Sequence, residues 1–448
     1  MERDSRTLQA RDYVSVEIKP DEDDNILVSS IKEKLEDTSV SHCICKVPEK
    51  MKENNGEKYT PRLVSIGPLH HGKEHLKAME DHKWRYLNTL LSRKPNLELI
   101  LDKCVSALKD LENKVRKCYA ENIDAFGSDD LVKMMLVDGC FIIELLLKYS
   151  FKGLKRRDDP FFSKKSEFLK LRSDVILLEN QIPFFILRQL FDIVPIPKQC
   201  NQTLIQLALV FLHKAIPEEI KIDPGKFRQD CEHLLDLVHN CYAPTHPENH
   251  HQVQQIQFPP KNLKPAMELR KAGIGFVRAS AESLLDIKFA HGFLEIPPLK
   301  VNDYTETVLK NLLAIEQCYS DRTKYVTSYA FLMAKLIQTK KDVRLLYRSR
   351  ILTNGLEKRQ EILGLLKNLH LEVKDKEFYY WEVCEQVSGY RRTSCRGVVG
   401  DDEAEVSEHA VEDCRVRSGR FVSGSHFHWD LVFSSIVLTS PHLMFLCA

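Results

Sequence analysis

The side chains of this 448-residue chain that could do chemistry gather in a few places. His70, His71, Glu74, His75, Glu80 and His82 crowd one stretch, where neutral imidazoles and a carboxylate have the chemistry to hold zinc or a similar ion. Their spacing is poor for it. His70 and His71 are adjacent at a helix entrance, and His75 and His82 fall about 10 Å apart along a helix axis. Turn and capping polar groups are the simpler account. His239, Cys241, His246, His250 and His251 form a second candidate cluster, on a Pro- and Asn-rich stretch whose spacing fits no zinc pattern. Cys43-Ile44-Cys45 leaves one residue between its thiols where redox and zinc pairs leave two, and reads as part of a strand.

A different chemistry is open to Asp138, Glu144, Asp174 and Glu179, which interrupt strongly apolar segments. Burial raises a carboxyl pKa and can make a general acid or base. If Asp138 and Glu179 faced each other, a hydrolase-like pair would result. The alternative is structural: Glu179, Asn180 and Gln181 satisfy backbone groups freed by Pro183, while Asp138 pairs with Lys133 or Arg172. The structural account is preferred. Lys340, Lys341, Arg344, Arg348 and Arg350 make a local basic run, read as a solvated helix face, with anionic lipid or an acidic partner as the other option. There is no GxGxxG, P-loop, HExxH or GxSxG pattern. No catalytic, cofactor-binding or metal-ligating residue is therefore assigned, and no cofactor is expected. With 65 basic and 64 acidic residues the net charge is +1, so no global field draws the protein to nucleic acid.

The elements that must position these residues are mostly helical. Leu97, Leu101, Cys104, Leu108, Leu111, Val115 and Cys118 recur at steps of four and three, a seam expected to pack on the protein's own core rather than on a partner helix. Ser128 reads as an N-cap, with Asp129 and Asp130 at the positive end of a helix that is apolar on nearly every face. A second apolar segment contains Pro183, expected to kink or split its helix after Gln181. A third runs through TLIQLALVFLHKAI. Extended pieces are expected at 43–47 and 62–66, a helix at 26–35, and a breaker-rich loop at 239–262. Alternation around His291-Gly292 signals a β-hairpin near 284–297. Three or four helices should follow Asp303. The class is mainly α (α+β), a multi-helix globular domain with a few short strands. Residues 1–24 are expected to be flexible, 25–390 to form one large domain subdivided by the 239–262 loop, and 391–448 to be an atypical, poorly ordered tail.

The polar N-terminus lacks the apolar stretch of a signal peptide, so the cysteines, thirteen in all, are expected to stay reduced and Asn201-Gln202-Thr203 to be a chance sequon. The compartment reads as cytoplasm or the cytosolic face of the plasma membrane.

Five blocks carry a resemblance: the stretch from VPEKMKENNGEKYTPRLVSIGPLHHG into the following helix, MMLVDGCFIIELLL, RSDVILLENQIPFFIL, SLLDIKFAHGFLEIPPLKV, and NLLAIEQCY with YVTSYAFLM. In this order they resemble the plant domain-of-unknown-function 247 family, over about residues 26–390. The resemblance implies a plant protein with a largely helical domain and no accepted catalytic residues, from a family some of whose members are linked to self-incompatibility and reproductive development. It implies a membrane anchor near the C-terminus as well, yet residues 431–448 are diluted by Ser434, Ser435, Thr439, Ser440, Pro441 and His442 and span a bilayer poorly. A spliced, frame-shifted or truncated tail is the expectation for 391–448. Function is read as non-enzymatic recognition or signalling through protein–protein contacts, with a protein partner and no nucleic acid; the alternative is an unrecognised hydrolase-like enzyme.

Overall fold

The computed structural model describes residues 42–53, 55–217, 231–245, 263–319, 322–354, 359–369 and 378–397. The expected helix at 26–35, the N-terminal 1–24, the histidines at 246, 250 and 251, and the tail beyond 397 lie outside them. The chain divides into two compact units, Met1–Arg392 and Thr393–Ala448, and the architecture below is that of the first.

Besides two four-residue helices, Glu49–Lys52 and Pro160–Ser163, the first α-helices among the described residues are α1 (Glu80–Leu91), α2 (Leu97–Cys118), α3 (Ser128–Ser150), α4 (Lys165–Asp174), α5 (Phe184–Ile193), α6 (Leu204–Leu212), α7 (Leu234–Tyr242) and α8 (Ala266–Lys271). After four strands come α9 (Thr305–Cys318), α10 (Tyr325–Leu336), α11 (Lys340–Arg348), α12 (Arg359–Asn368) and α13 (Trp381–Gly397), so among the described residues five helices follow Asp303 where three or four were expected. The fold is mainly α with small sheets. No helix among the described residues is long and apolar enough to cross a membrane.

α3 is the centre. From Leu131 to Lys148 every residue is buried except Lys133, and α1, α2, α5 and α6 pack around it. An all-round apolar surface has no other stable place. Gly139 lets α5 approach: a Cβ there would sit 2.4 Å from Leu190 Cδ1. Ser128 is the first helical residue rather than the N-cap, which is Gly127, and its hydroxyl donates to Glu112 instead. The seam of α2 faces this protein's own interior, with Cys104, Leu108 and Val115 buried.

The segment around Pro183 departs from expectation. α4 stops at Asp174, well before Gln181, and the chain turns through 175–183 before Pro183 caps α5. Proline disturbs a helix only over the turn before it, back to Glu179 here, and so does not reach Asp174. The earlier stop has another cause: the Gln181 amide takes the carbonyls of Val175 and Leu177, both at 2.8 Å, and Asn180 takes that of Asp174 at 3.0 Å. Side chains thus replace the helical ladder.

The hairpin near 284–297 is present as β2 (Lys288–Ala290) and β3 (Phe293–Ile296), with His291 and Gly292 at φ 51° and 80°. Positive φ at both turn residues is the type I′ geometry that suits a two-residue loop. A strand that was not anticipated, β1 (Gly275–Arg278), adds in parallel to β3, giving the order β1-β3-β2. β4 (Leu299–Val301) pairs in parallel with β5 (Leu352–Asn354). The breaker-rich loop starts later than 239, because His239 to Tyr242 complete α7.

Candidate functional site

Residues 43–67 carry little regular structure, so their backbone N–H groups need acceptors from elsewhere. The polar side chains embedded in the apolar segments supply them. Val47 N donates to Glu179 Oε1 at 2.7 Å. Asp174 accepts from three consecutive amides, Arg62 at 3.0 Å, Leu63 at 2.7 Å and Val64 at 3.0 Å. Ile66 N donates to Asn180 Oδ1 at 2.7 Å, and Gly67 N to Asp138 Oδ2 at 2.8 Å. Gly67 is required there: its φ is +72°, and a Cβ would lie 2.5 Å from Gln181 O. Burial pushes the Asp174 carboxyl up to about 6, although the three amides pull the other way.

Asp138 pairs with neither Lys133 nor Arg172. Its partner is Lys83, fully buried on α1, whose Nζ lies 2.6 Å from Asp138 Oδ1, 2.9 Å from Glu80 Oε1 and 3.0 Å from Ser65 O. Burial would lower the Lys83 ammonium, but the Asp138 and Glu80 carboxylates outweigh it and hold it above its ordinary value. Lys133 points to solvent, and the Arg172 guanidinium stacks over Tyr149, Phe168, Phe211 and Tyr304 at 4.7–5.8 Å. Glu144 pairs with Arg93 at 2.6 Å. Glu179 binds Lys52 at 2.7 Å and lies 3.2 Å from His70 Nε2; burial raises its carboxyl, and these partners with Val47 N more than offset that and bring it below the usual value. Asp138 and Glu179 therefore serve different partners and do not form a pair.

The histidine clusters disperse. His70 is buried, His75 Nε2 reaches Pro61 O at 3.2 Å, and His82 stands edge-on to Phe161. Glu74 binds Lys77, and His71 stands edge-on to Phe126. His239 Nε2 meets Glu316 Oε1 at 3.0 Å, while the Cys241 thiol bonds Leu237 O. Among the described residues no three or more His, Cys, Asp or Glu are grouped to hold a metal. The basic run lies on the exposed side of α11, where Lys340, Lys341, Arg344 and Arg348 face solvent.

Sequence reasoning missed Lys83, and also His233, which sits fully buried at the start of α7 and accepts Asp236 N–H through Nδ1 at 3.1 Å. Burial pushes this imidazole down to about 4. Because the unfolded chain takes up the proton near 6.5, it binds more protons than the folded one between about 6.5 and 4. Stability from His233 is thus full above that range and is lost as pH falls through it, by about 3 kcal/mol. A His233→Asn variant keeps a capping acceptor without the titration. Urea unfolding of both proteins from pH 7 to 4 should show the wild type losing about that much more than the variant. Asp174 titrates in the opposite sense over a similar range, so the difference between the two proteins is the readout; parallel profiles would exclude the effect.

A cleft of about 360 Å³ opens where α1 meets the start of α3. Its walls include Trp84, 45% exposed, with Phe126 and His71. Glu80, Asp130 and Lys133 supply charge, and Asp138 forms part of the lining. Of Asp138, Glu144, Asp174 and Glu179 only Asp138 reaches it, with 1% of its surface exposed and both oxygens already bonded. The cleft offers aromatic faces and carboxylates to a ligand.

Residues 44–401 match the family model described as plant protein of unknown function, DUF247. The chain is 31% identical over 353 residues to UPF0481 protein At3g47200 of Arabidopsis thaliana, covering 74% of this chain and 73% of that protein. It is 26% identical over 431 residues to the putative UPF0481 protein At3g02645 of the same plant, covering 76% and 80%. No solved structure matches it significantly. The five sequence blocks and the matched span agree, and the chain belongs to the DUF247 family of plant proteins.

Proposed function

We propose that this protein works by recognition rather than catalysis, and that the cleft between α1 and α3 receives a cationic side chain, arginine or lysine, of a protein partner. One observation carries this: the acids that could have been catalytic are bonded to backbone amides and cations, while the cleft between α1 and α3 presents an exposed indole beside Glu80 and Asp130. A cation over Trp84 or Phe126 gains from the ring quadrupole, and the carboxylates add charge complementarity. Lys133 at the rim favours a ligand that approaches from the acidic side. The link of some family members to self-incompatibility and reproduction suggests a partner in reproductive tissue and a role in signalling.

A hydrolase would need a carboxyl free to move a proton at the substrate. Asp138 is the nearest candidate, and Lys83 and Gly67 N already occupy its oxygens.

The test uses a short capped peptide carrying arginine and the same peptide carrying citrulline, titrated into the full-length protein. The arginine peptide is expected to bind and the neutral one not, with Trp84→Ala weakening binding by about fivefold or more. Equal binding of the two peptides, or no effect of Trp84→Ala, would overturn the assignment of the cleft.

A further inference from the structure

Two pairs of thiols lie side by side where segment 43–47 meets the helices. Ile44 forms a parallel bridge with Tyr119, which sets Cys43 directly across from Cys118. Cys43 N and Ile44 N both donate to Cys118 O at 2.9 Å, and Ala120 N returns to Ile44 O at 2.9 Å. Neighbouring strands lie about 4.8 Å apart, within the window of about 4.4–6.8 Å between Cα atoms that a disulfide spans. Each thiol shifts the proton affinity of the other, and Cys118 Sγ also donates to Lys114 O at 3.2 Å. Farther along the same segment, Cys318 at the end of α9 perturbs the Cys45 thiol, and Cys318 Sγ donates to Lys46 O, next in sequence to Cys45, at 3.7 Å. Cys43 is buried and the other three are half-buried, so an oxidant reaches one member of each pair.

We propose that Cys43–Cys118 and Cys45–Cys318 are two disulfide-forming sites, closed by exchange with a small-molecule disulfide of the glutathione class. They fasten segment 43–47 to the ends of α2 and α9, independently of what the cleft binds. In the first pair Cys118 is the attacking thiol. The Cys43 thiol beside it and the nearby Lys114 ammonium hold it below the ordinary thiol value, while neighbouring Cys118 and burial push Cys43 up. The Cys118 thiol gives its proton to water, and its thiolate attacks one sulfur of glutathione disulfide. That S–S bond breaks, and one glutathione thiolate leaves with the electron pair and is protonated. Cys43 then loses its proton, attacks Cys118 Sγ and displaces the second glutathione. The protein is oxidised by two electrons and one glutathione disulfide is reduced to two glutathione molecules. The second pair closes in the same stoichiometry. A reducing environment leaves both open; an oxidising one clamps the segment.

The test equilibrates the full-length protein in glutathione buffers from reducing to oxidising. Free thiols are then alkylated and the linked peptides mapped by mass spectrometry. At the oxidising end the map is expected to join 43 to 118 and 45 to 318, with buried Cys104 and Cys140 alkylated only after denaturation. The midpoint of thermal unfolding should rise by about 5 °C or more. A Cys43→Ser/Cys45→Ser variant should not show the rise. Free thiols at all four positions under oxidising buffer, or peptides joined to other cysteines, would overturn the proposal; a map lacking one link overturns that pair. Should the variant fail to fold, the wild-type map decides alone.

Discussion

Lys83→Met is expected to lower the unfolding free energy by about 3–5 kcal/mol. Met is unbranched like lysine and only one atom shorter, so little cavity is left and the loss reports mainly charge and hydrogen bonding. Without the ammonium, Asp138 Oδ1 is left buried and unpaired, and Ser65 O loses its donor as well. Adding Asp138→Asn should recover a large part of the loss, because asparagine is neutral and its oxygen can still accept Gly67 N–H. Urea unfolding followed by circular dichroism measures both variants. A single variant within about 1 kcal/mol of wild type would mean that this ion pair contributes nothing to holding α1 on α3.

The second large effect is at Asp174. Asp174→Ala removes the acceptor of three consecutive buried or half-buried amides and is expected to cost about 4 kcal/mol or more, with Asp174→Asn costing less because it keeps one oxygen. The lesion should be local before it is global. Arg62 opens the released stretch and Lys58 lies just before it, so brief trypsin treatment ought to cut the alanine variant there first while leaving the helical remainder intact. Wild-type resistance at both residues together with unchanged stability would show that the segment is held by other means.

The helices were legible because their signal is local. The all-apolar α3, the α2 seam and the His291-Gly292 turn announce themselves within a few residues, and so does the structural role of the acids inside apolar runs. Their partners were not legible. Lys83 lies in an amphipathic pattern where a lysine ordinarily faces water, and the carboxylate that draws it inward is 55 positions away. Lys133, one turn from Asp138, was the obvious local choice and points outward. Glu179, Asn180 and Gln181 were expected to serve backbone near Pro183; Gln181 does, but Glu179 and Asn180 bond mainly to residues 47–66. β1 escaped notice because Gly275-Phe276-Val277-Arg278 alternates too briefly to declare itself without β3 beside it. The cleft could not be foreseen either, since Trp84 and Phe126 come from separate elements and neither is unusual in its own stretch.

The acceptors for the 47–67 amides lie 71–132 positions downstream, and Asn311 must arrive to bond both Lys58 O and Leu178 N. As the chain leaves the ribosome, then, segment 47–67 waits with bare amides until residues 138–180 have followed it out. That segment settles only after its acceptors are made, and no piece ending before about residue 180 carries the groups that would fix it.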